Sequence, residues 1–284
     1  MPVIESPKGL AMKLGFQLKN LTTIANNTHK FYYSYPKTTR KKDGTIKTRT
    51  IEPVNEPLKT IQRRISRRVL FDLPISDCAH GCIKSRDSIT NALAHRGRNY
   101  HFCTDIKKFY PSVRYQMVNE MFLSLGFSPP VATLLRRLVT HNGRLPQGSP
   151  TSSDIANLVF YPIDEEIVAL IGSKNILYTR YLDDLVFSAQ HCFKELTPAL
   201  LEVFEQRGFR RSQRKTFYKQ GPTEITGVLV RQNAIELTDE KELKRISKNL
   251  TPAQRLGFDN YITQVYKQNK SNKKSRRKKY SKQR

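Results

Sequence analysis

Residues 178–188, YTRYLDDLVFS, place two adjacent carboxylates between two short apolar and aromatic runs. Runs of this length on either side of polar residues predict a pair of strands joined by a tight turn. Because successive side chains of a strand point to opposite faces, Asp183 and Asp184 should not both face one ion in the same way. A metal site here needs a third carboxylate, and the alternative is a solvated turn, in which Asp is a favoured residue.

Asp105 is the candidate for the third carboxylate. It ends the segment YHFCTD, which predicts a strand, and a neighbouring place in the same sheet would bring Asp105 beside the turn. Three carboxylates at one end of a sheet repel each other unless divalent cations compensate them, and Mg²⁺ prefers such oxygen ligands. Two ions about 3.5 to 4 Å apart can activate an attacking hydroxyl and stabilise a leaving pyrophosphate. This pattern therefore indicates polymerase chemistry.

The chain is strongly basic, which indicates a polyanionic partner. Its 50 Lys and Arg residues against 24 Asp and Glu residues give a formal net charge of +26. Residues 267–284 hold 10 basic residues and no acidic one, so most of the excess positive charge lies in the rest of the chain. Nucleic acid is favoured over an anionic membrane, because this basic segment offers only Tyr280 as an apolar anchor.

Membrane, secreted and zinc-binding classes are not indicated. The apolar runs fall short of the roughly 18 to 20 residues that a membrane span requires. The first residues lack the apolar core of a secretory signal, so a cytoplasmic location is expected. The four cysteines show no CxxC pair and are predicted to be buried free thiols.

The remaining pattern predicts short helices and strands in alternation. In residues 57–70, for example, Leu58, Ile61, Ile65 and Val69 recur at helical spacing with basic residues between them. The expected elements are helices in 1–30, a strand in 30–37, a hairpin with Asp43-Gly44 at its turn, helices in 57–70, 87–97 and 114–140, a Gly/Pro/Ser loop feeding a helix to about 171, a helix ending at Gly208, a hairpin in 223–237, and two C-terminal helices.

These blocks together resemble the reverse transcriptases, and among them the bacterial retron type. TRYLDDLVFS resembles the YxDD motif, FCTDIKKFYPSV the first catalytic aspartate motif, and LPQGSPTSSDIANLVF the loop and helix that hold the nucleotide and template. RGFRRSQRKTF resembles the next palm motif, with Lys215 at its lysine. Residues 91–95 fit the retron NAxxH element, and residues 225–227 resemble its VTG element with Ile for Val. Leu182 stands where the retron YxDD motif usually has alanine, which leaves the metal ligands unchanged.

The resemblance implies roles for the reacting groups. Asp105, Asp183 and Asp184 would be the carboxylates of a site for two Mg²⁺ ions, with Asp184 the least certain direct ligand. Lys215 would protonate the leaving pyrophosphate or contact a phosphate. Tyr110 matches the aromatic residue that excludes a ribose 2′-hydroxyl, and an ordinary core tyrosine is the alternative.

The resemblance also implies binding residues. Gln147 and Gly148 fit the nucleotide-binding loop, where glycine permits a close backbone approach. Arg49, with Lys41 or Lys42, would hold the triphosphate. The residues expected to help recognise a structured RNA are Asn91, His95, Ile225, Thr226 and Gly227, although a helix-packing histidine is a fair alternative for His95.

The fold implied is an α+β right-hand polymerase with fingers, an antiparallel palm sheet and a short helical thumb. The predicted domains are N-terminal helices and fingers in 1–98, a palm in 99–235 with a finger-helix insertion at about 114–160, a thumb in 236–266 and a disordered basic tail in 267–284.

The function implied is RNA-directed DNA synthesis from deoxynucleoside triphosphates on a cognate non-coding RNA. The same resemblance implies priming from an internal guanosine 2′-hydroxyl, a branched RNA-linked DNA product, and anti-phage defence with a separate effector protein. The alternatives are a group II intron, diversity-generating or CRISPR-linked reverse transcriptase, or a non-catalytic RNA-binding scaffold with a polymerase fold. The chain has no room for a maturase or endonuclease domain, which argues against the intron type.

Overall fold

The computed structural model describes residues 4–40, 44–246 and 250–280. Within this range the helices are α1 (Pro7–Leu14), α2 (Leu18–Asn26), α3 (Leu58–Ile65), α4 (Ser88–Ala94), α5 (Phe109–Ser112), α6 (Tyr115–Ser124), α7 (Pro129–Val139), α8 (Ser152–Ile171), α9 (Thr197–Glu205), α10 (Asp239–Ile246) and α11 (Pro252–Tyr280). The strands are β1 (Tyr35–Arg40), β2 (Ile46–Ile51), β3 (Tyr100–Asp105), β4 (Leu177–Tyr181), β5 (Asp184–Ala189), β6 (Phe217–Gln220), β7 (Thr223–Ile225), β8 (Val228–Val230) and β9 (Ile235–Leu237). This mixture of helices and antiparallel sheets makes the fold α+β.

The chain divides into two compact units. The first unit contains the described residues up to Ser76 together with Lys108–Glu165, and the second contains Asp77–Lys107 and the described residues from Glu166 onward. Residues 77–98 therefore belong to the second unit, because α4 packs on β4, β7 and β8 rather than on the N-terminal helices. In the described part of the chain, no helix combines the length and the apolar character that crossing a membrane would require.

The first unit is built on amphipathic helices. Ser6 caps the start of α1 by accepting a hydrogen bond from the Gly9 amide, and Gly15 ends the helix in the left-handed conformation. The predicted basic helix is confirmed as α3, which continues as a π-helical segment over Ser66–Leu70. Its predicted apolar stripe, Leu58, Ile61, Ile65 and Val69, is buried.

The predicted N-terminal hairpin of the first unit is confirmed, with a different start. Strands β1 and β2 pair antiparallel, and the first strand begins at Tyr35 rather than within residues 30–34. Both strands are almost fully exposed, so the pairing is held by backbone hydrogen bonds more than by a core. Asp43 of the expected turn lies outside the described residues.

The second unit is centred on an antiparallel sheet with the strand order β4-β5-β3-β6. Phe187 of β5 stacks on Tyr178 and on Phe102, with ring centroids 4.6 and 5.7 Å apart. These cross-strand aromatic contacts fix the register of the three strands. In that register Asp105 at the end of β3 pairs with Asp184 at the start of β5.

Two predicted boundaries in the second unit are corrected. Residues 223–237 form a three-stranded sheet instead of one hairpin, because Thr226 and Gly227 adopt positive φ angles and make an additional turn between β7 and β8. The predicted thumb ends at residue 266, but helix α11 continues past that residue to Tyr280. The Asn269 side chain bonds both the amide and the carbonyl of Ile235, which ties the extension of the helix to β9.

Candidate active site

Three carboxylates meet at one end of the β4-β5-β3-β6 sheet. Ligand oxygens of Asp105, Asp183 and Asp184 all lie within 4.8 Å of one another. The expected separation of the two adjacent aspartates does not occur, because Asp183 lies in the turn and only Asp184 belongs to the strand. The Ile106 amide donates a 2.8 Å hydrogen bond to the Asp183 carbonyl and fixes this turn against β3.

The turn is shaped by Leu182 and by two residues to which the motifs assign no role, Gly81 and Arg180. Leu182 has a φ angle of 55°, a left-handed conformation that a leucine rarely adopts. A Cβ atom on Gly81 would lie 2.6 Å from the Leu182 amide nitrogen, so only glycine permits this packing. The fully buried Arg180 donates a 3.3 Å hydrogen bond to the Leu182 carbonyl. The sequence signal that could have identified this support for the turn is an arginine inside a strand that is otherwise buried.

Lys215 lies against the carboxylates. Its ammonium group contacts Asp105 and lies 3.4 Å from Asp184 Oδ1. A 2.7 Å hydrogen bond from the Ser212 amide to the Asp105 carbonyl positions the short helical turn that carries the lysine. Burial lowers the Lys215 pKa, but attraction to Asp184 and Asp105 outweighs it, so the pKa is raised above its ordinary value. The lysine therefore remains a cation and a proton donor.

The carboxylates carry more negative charge than this site accommodates easily. Burial is the largest cause that raises the Asp184 pKa to about 6, and repulsion from Asp183 and Asp105 adds to it against the opposing attraction of Lys215. A divalent cation would relieve this repulsion, and three carboxylates form the all-oxygen donor set that a hard cation prefers. The residues thus fit a divalent metal site.

The predicted nucleotide-binding residues lie in the first unit. The Gln147 carbonyl accepts a 2.7 Å hydrogen bond from the Glu52 amide. Gly148 has a φ angle of 118°, and a Cβ atom there would lie 2.9 Å from the Ile51 side chain. Tyr110 shares a 3.0 Å hydrogen bond with Ser153.

Of the remaining triphosphate candidates, the structure describes Arg49. Arg49 is exposed on β2 and pairs across the hairpin with Lys37. Lys41 and Lys42 lie outside the described residues.

Three of the five residues expected to help recognise a structured RNA are buried, and their part in RNA recognition stays a prediction. His95, Asn91 and Ile225 are at most 1% exposed, so their side chains cannot touch RNA in this conformation. His95 hydrogen-bonds Ser188 Oγ at 2.6 Å and Thr179 Oγ1 at 2.7 Å and so joins α4 to β5 and β4.

The two retron elements meet through their polar side chains. Thr226 donates a 2.8 Å hydrogen bond to the Ser88 carbonyl at the start of α4, and Asn91 reaches Thr226 at 3.5 Å. Thr226 and Gly227 are partly exposed and remain available for contact. Spacing alone could not have revealed that the elements at 91–95 and 225–227 brace each other.

The buried His95 predicts a loss of stability in mild acid. Burial lowers the His95 pKa to about 3, whereas the unfolded residue titrates near 6.5. Between these values the unfolded state binds a proton that the folded state does not, so stability falls as the pH decreases. From pH 7 to pH 5 this residue alone should cost about 2 kcal/mol. Urea unfolding of the wild type and of His95→Gln at both pH values checks this, and an equal pH dependence in the two proteins would contradict it.

Comparison with known proteins supports the interpretation of the three carboxylates as part of a polymerase active site. Residues 39–230 match the family described as reverse transcriptase (RNA-dependent DNA polymerase). The chain is 28% identical to the retron Ec86 reverse transcriptase of Escherichia coli over 85% of this chain and 76% of that protein. It is 32% identical to the retron Mx162 reverse transcriptase of Myxococcus xanthus over 80% of this chain and 53% of that protein.

A third relative is the retron Se72 reverse transcriptase of Salmonella heidelberg, at 33% identity over 66% of this chain and 48% of that protein. The chain thus spans about three quarters of the first relative and about half of the other two. Because the family match covers most of the chain and includes all three carboxylates, this chain belongs to the reverse transcriptase (RNA-dependent DNA polymerase) family and is of the retron type.

Proposed function

We propose that this protein copies part of a cognate structured non-coding RNA into DNA, starting from a guanosine 2′-hydroxyl and yielding a branched RNA-linked DNA. The observation that carries the proposal is the convergence of three carboxylates and a protonated Lys215 at one sheet end. The similarity to retron reverse transcriptases supports DNA synthesis on an RNA template.

The catalytic residues have separate tasks. Asp105, Asp183 and Asp184 would hold two Mg²⁺ ions, which when bound supply Lewis-acid activation and neutralise phosphate charge. The attacking hydroxyl gives up its proton to solvent water as its oxygen forms a bond to the α-phosphorus of the nucleotide, and the bond to pyrophosphate breaks. Lys215, kept protonated by the carboxylates, gives its proton to the leaving pyrophosphate.

Nucleotide selection falls to residues of the first unit. Arg49, with Lys41 or Lys42, binds the triphosphate, and the backbone at Gln147 and Gly148 lies along the nucleotide. Tyr110 excludes the ribose 2′-hydroxyl, so deoxynucleotides are the substrates. In this proposal the protein works in the cytoplasm, in anti-phage defence with a separate effector protein.

The proposal is tested by expressing the protein with the RNA encoded beside its gene and extracting small DNA. We expect a DNA whose mobility changes after ribonuclease and again after debranching treatment, and which is missing with Asp183→Asn/Asp184→Asn. DNA without a 2′ branch would assign the protein to another class of reverse transcriptase. If no DNA forms while RNA still binds, the protein is an RNA-binding scaffold.

A further inference from the structure

One polar residue interrupts the apolar face of α3. Gln62 is fully buried, on the same helix as the buried Leu58, Ile61 and Ile65. A buried amide is costly unless its hydrogen-bonding groups are paired, and an apolar side chain would fill this position at no such cost. The presence of Gln62 therefore calls for a role besides packing.

The amide of Gln62 connects three separate segments of the first unit. Its nitrogen donates to the Leu138 carbonyl and to the Tyr32 hydroxyl, each at 2.8 Å. Its oxygen accepts a 2.6 Å hydrogen bond from Ser149 Oγ. Because a backbone carbonyl can only accept, the nitrogen must face Leu138, and this fixes the oxygen toward Ser149.

The third connection reaches the loop assigned above to nucleotide binding. Ser149 directly follows Gln147 and Gly148, whose backbone is pressed against the end of β2 through the bond from Glu52 and the contact with Ile51. The loop is therefore held on one side by β2 and on the other by Gln62.

The partners of Gln62 are themselves firmly placed. Tyr32 stacks on His141 with ring centroids 4.2 Å apart. Burial raises the pKa of Tyr32 to about 12, so its hydroxyl keeps its proton at any working pH. The Leu138 carbonyl belongs to the last turn of α7, where helix carbonyls lack partners within the helix. Gln62 thus joins the loop to groups that do not move with it.

We propose that Gln62 is a positioning residue that sets the backbone of the nucleotide-binding loop through Ser149, and so controls the affinity for the incoming deoxynucleotide rather than the chemical step. This inference rests on the proposed function of that loop. An apolar residue of similar size would remove the hydrogen bonds that the Ser149 hydroxyl and the Leu138 carbonyl make with Gln62, and the loop would lose this support on the side of α3.

The kinetic test uses Gln62→Met on a homopolymeric RNA template with a complementary DNA primer, varying the one nucleotide required. We expect the KM for that nucleotide to rise about 5- to 10-fold, the effect of one or two lost hydrogen bonds, with kcat within about 2-fold. Gln206→Met, at a helix-end glutamine bonded to Glu202, is the matched substitution and should change neither constant. Leu10→Ala, in the core of α1, reports the effect of lost stability alone.

A double-mutant cycle separates positioning from packing. If Gln62 acts through Ser149, the effects of Gln62→Met and Ser149→Ala on KM should not be additive. The double variant should then have a KM little higher than that of Gln62→Met alone. The fold-changes in KM caused by Gln62→Met and by Leu10→Ala should multiply in the double variant, because the two residues act independently. Additive effects of Gln62→Met and Ser149→Ala on the logarithm of KM would overturn the inference.

A second measurement does not depend on activity. Without nucleotide, the amides of Glu52 and Ser152, which bond to Gln147 and Ser149, should exchange hydrogen faster in Gln62→Met than in Gln206→Met. Unchanged exchange refutes the positioning role. A wild type that makes no DNA refutes the proposed function instead, while the exchange result still decides whether Gln62 holds the loop.

Discussion

Replacing Asp105 by Asn is expected to abolish DNA synthesis without unfolding the protein. The rate should fall by about 10³-fold or more, because one of three metal-binding carboxylates is lost while the shape of the side chain is kept. Stability should change by no more than about 1 kcal/mol, since the lost contact with the half-exposed Lys215 is offset by weaker repulsion among the carboxylates. Primer extension and urea unfolding of the purified variant measure the two quantities.

The same variant links the activity to a metal. Mg²⁺ should raise the melting temperature of the wild type, because it binds the folded carboxylates, and should raise that of Asp105→Asn much less. Asp77→Asn, in the same unit at an exposed carboxylate 3.6 Å from Arg86, is the control and should behave like the wild type. Synthesis by Asp105→Asn at more than a tenth of the wild-type rate would contradict its role as a ligand.

The sheet and its carboxylates could be read from the sequence because local signals there agree. Apolar and aromatic runs at residues 100–105 and 178–188 predict strands, and polar residues mark where each run ends. Antiparallel neighbours bring such ends together, and the observed pairing of Asp105 with Asp184 is the consequence.

The turn itself could not be predicted in the same way. Strand alternation predicted that Asp183 and Asp184 would diverge, but the left-handed Leu182 moves Asp183 out of the strand. That conformation depends on Gly81 and Arg180, and Gly81 is about 100 residues away in sequence. The spacing of residues within one segment gives no information about its contacts with a segment that is distant in sequence.

Burial also could not be predicted for residues that were recognised by motif. His95 and Asn91 match a family element, and a match of this kind does not distinguish a residue that touches RNA from one that holds the fold. The hydroxyls of Ser188 and Thr179, which hold His95, come from strands far away in sequence. Gln62 was missed for the same reason, because its partners Leu138 and Ser149 lie in other segments.

Replacing Tyr110 by Ala is expected to let the protein incorporate ribonucleotides. Tyr110 lies on α5, where its hydroxyl is held by Ser153 and the neighbouring Phe109 packs edge-on against Phe160. A ring fixed in this way can exclude a 2′-hydroxyl by steric clash, which discriminates against the wrong substrate without adding contacts to the right one. The ratio of kcat/KM for a ribonucleotide to that for its deoxynucleotide should rise by about 10²-fold.

Tyr110→Phe separates the ring from the hydroxyl. This variant loses the hydroxyl, with its hydrogen bond to Ser153, and keeps the ring, so its selectivity should stay within about 3-fold of the wild type. If Tyr110→Ala still excludes ribonucleotides while it extends with deoxynucleotides, Tyr110 is an ordinary packing tyrosine. If both variants lose selectivity equally, the hydroxyl rather than the ring carries the discrimination, and the bond to Ser153 becomes the feature that selects the sugar.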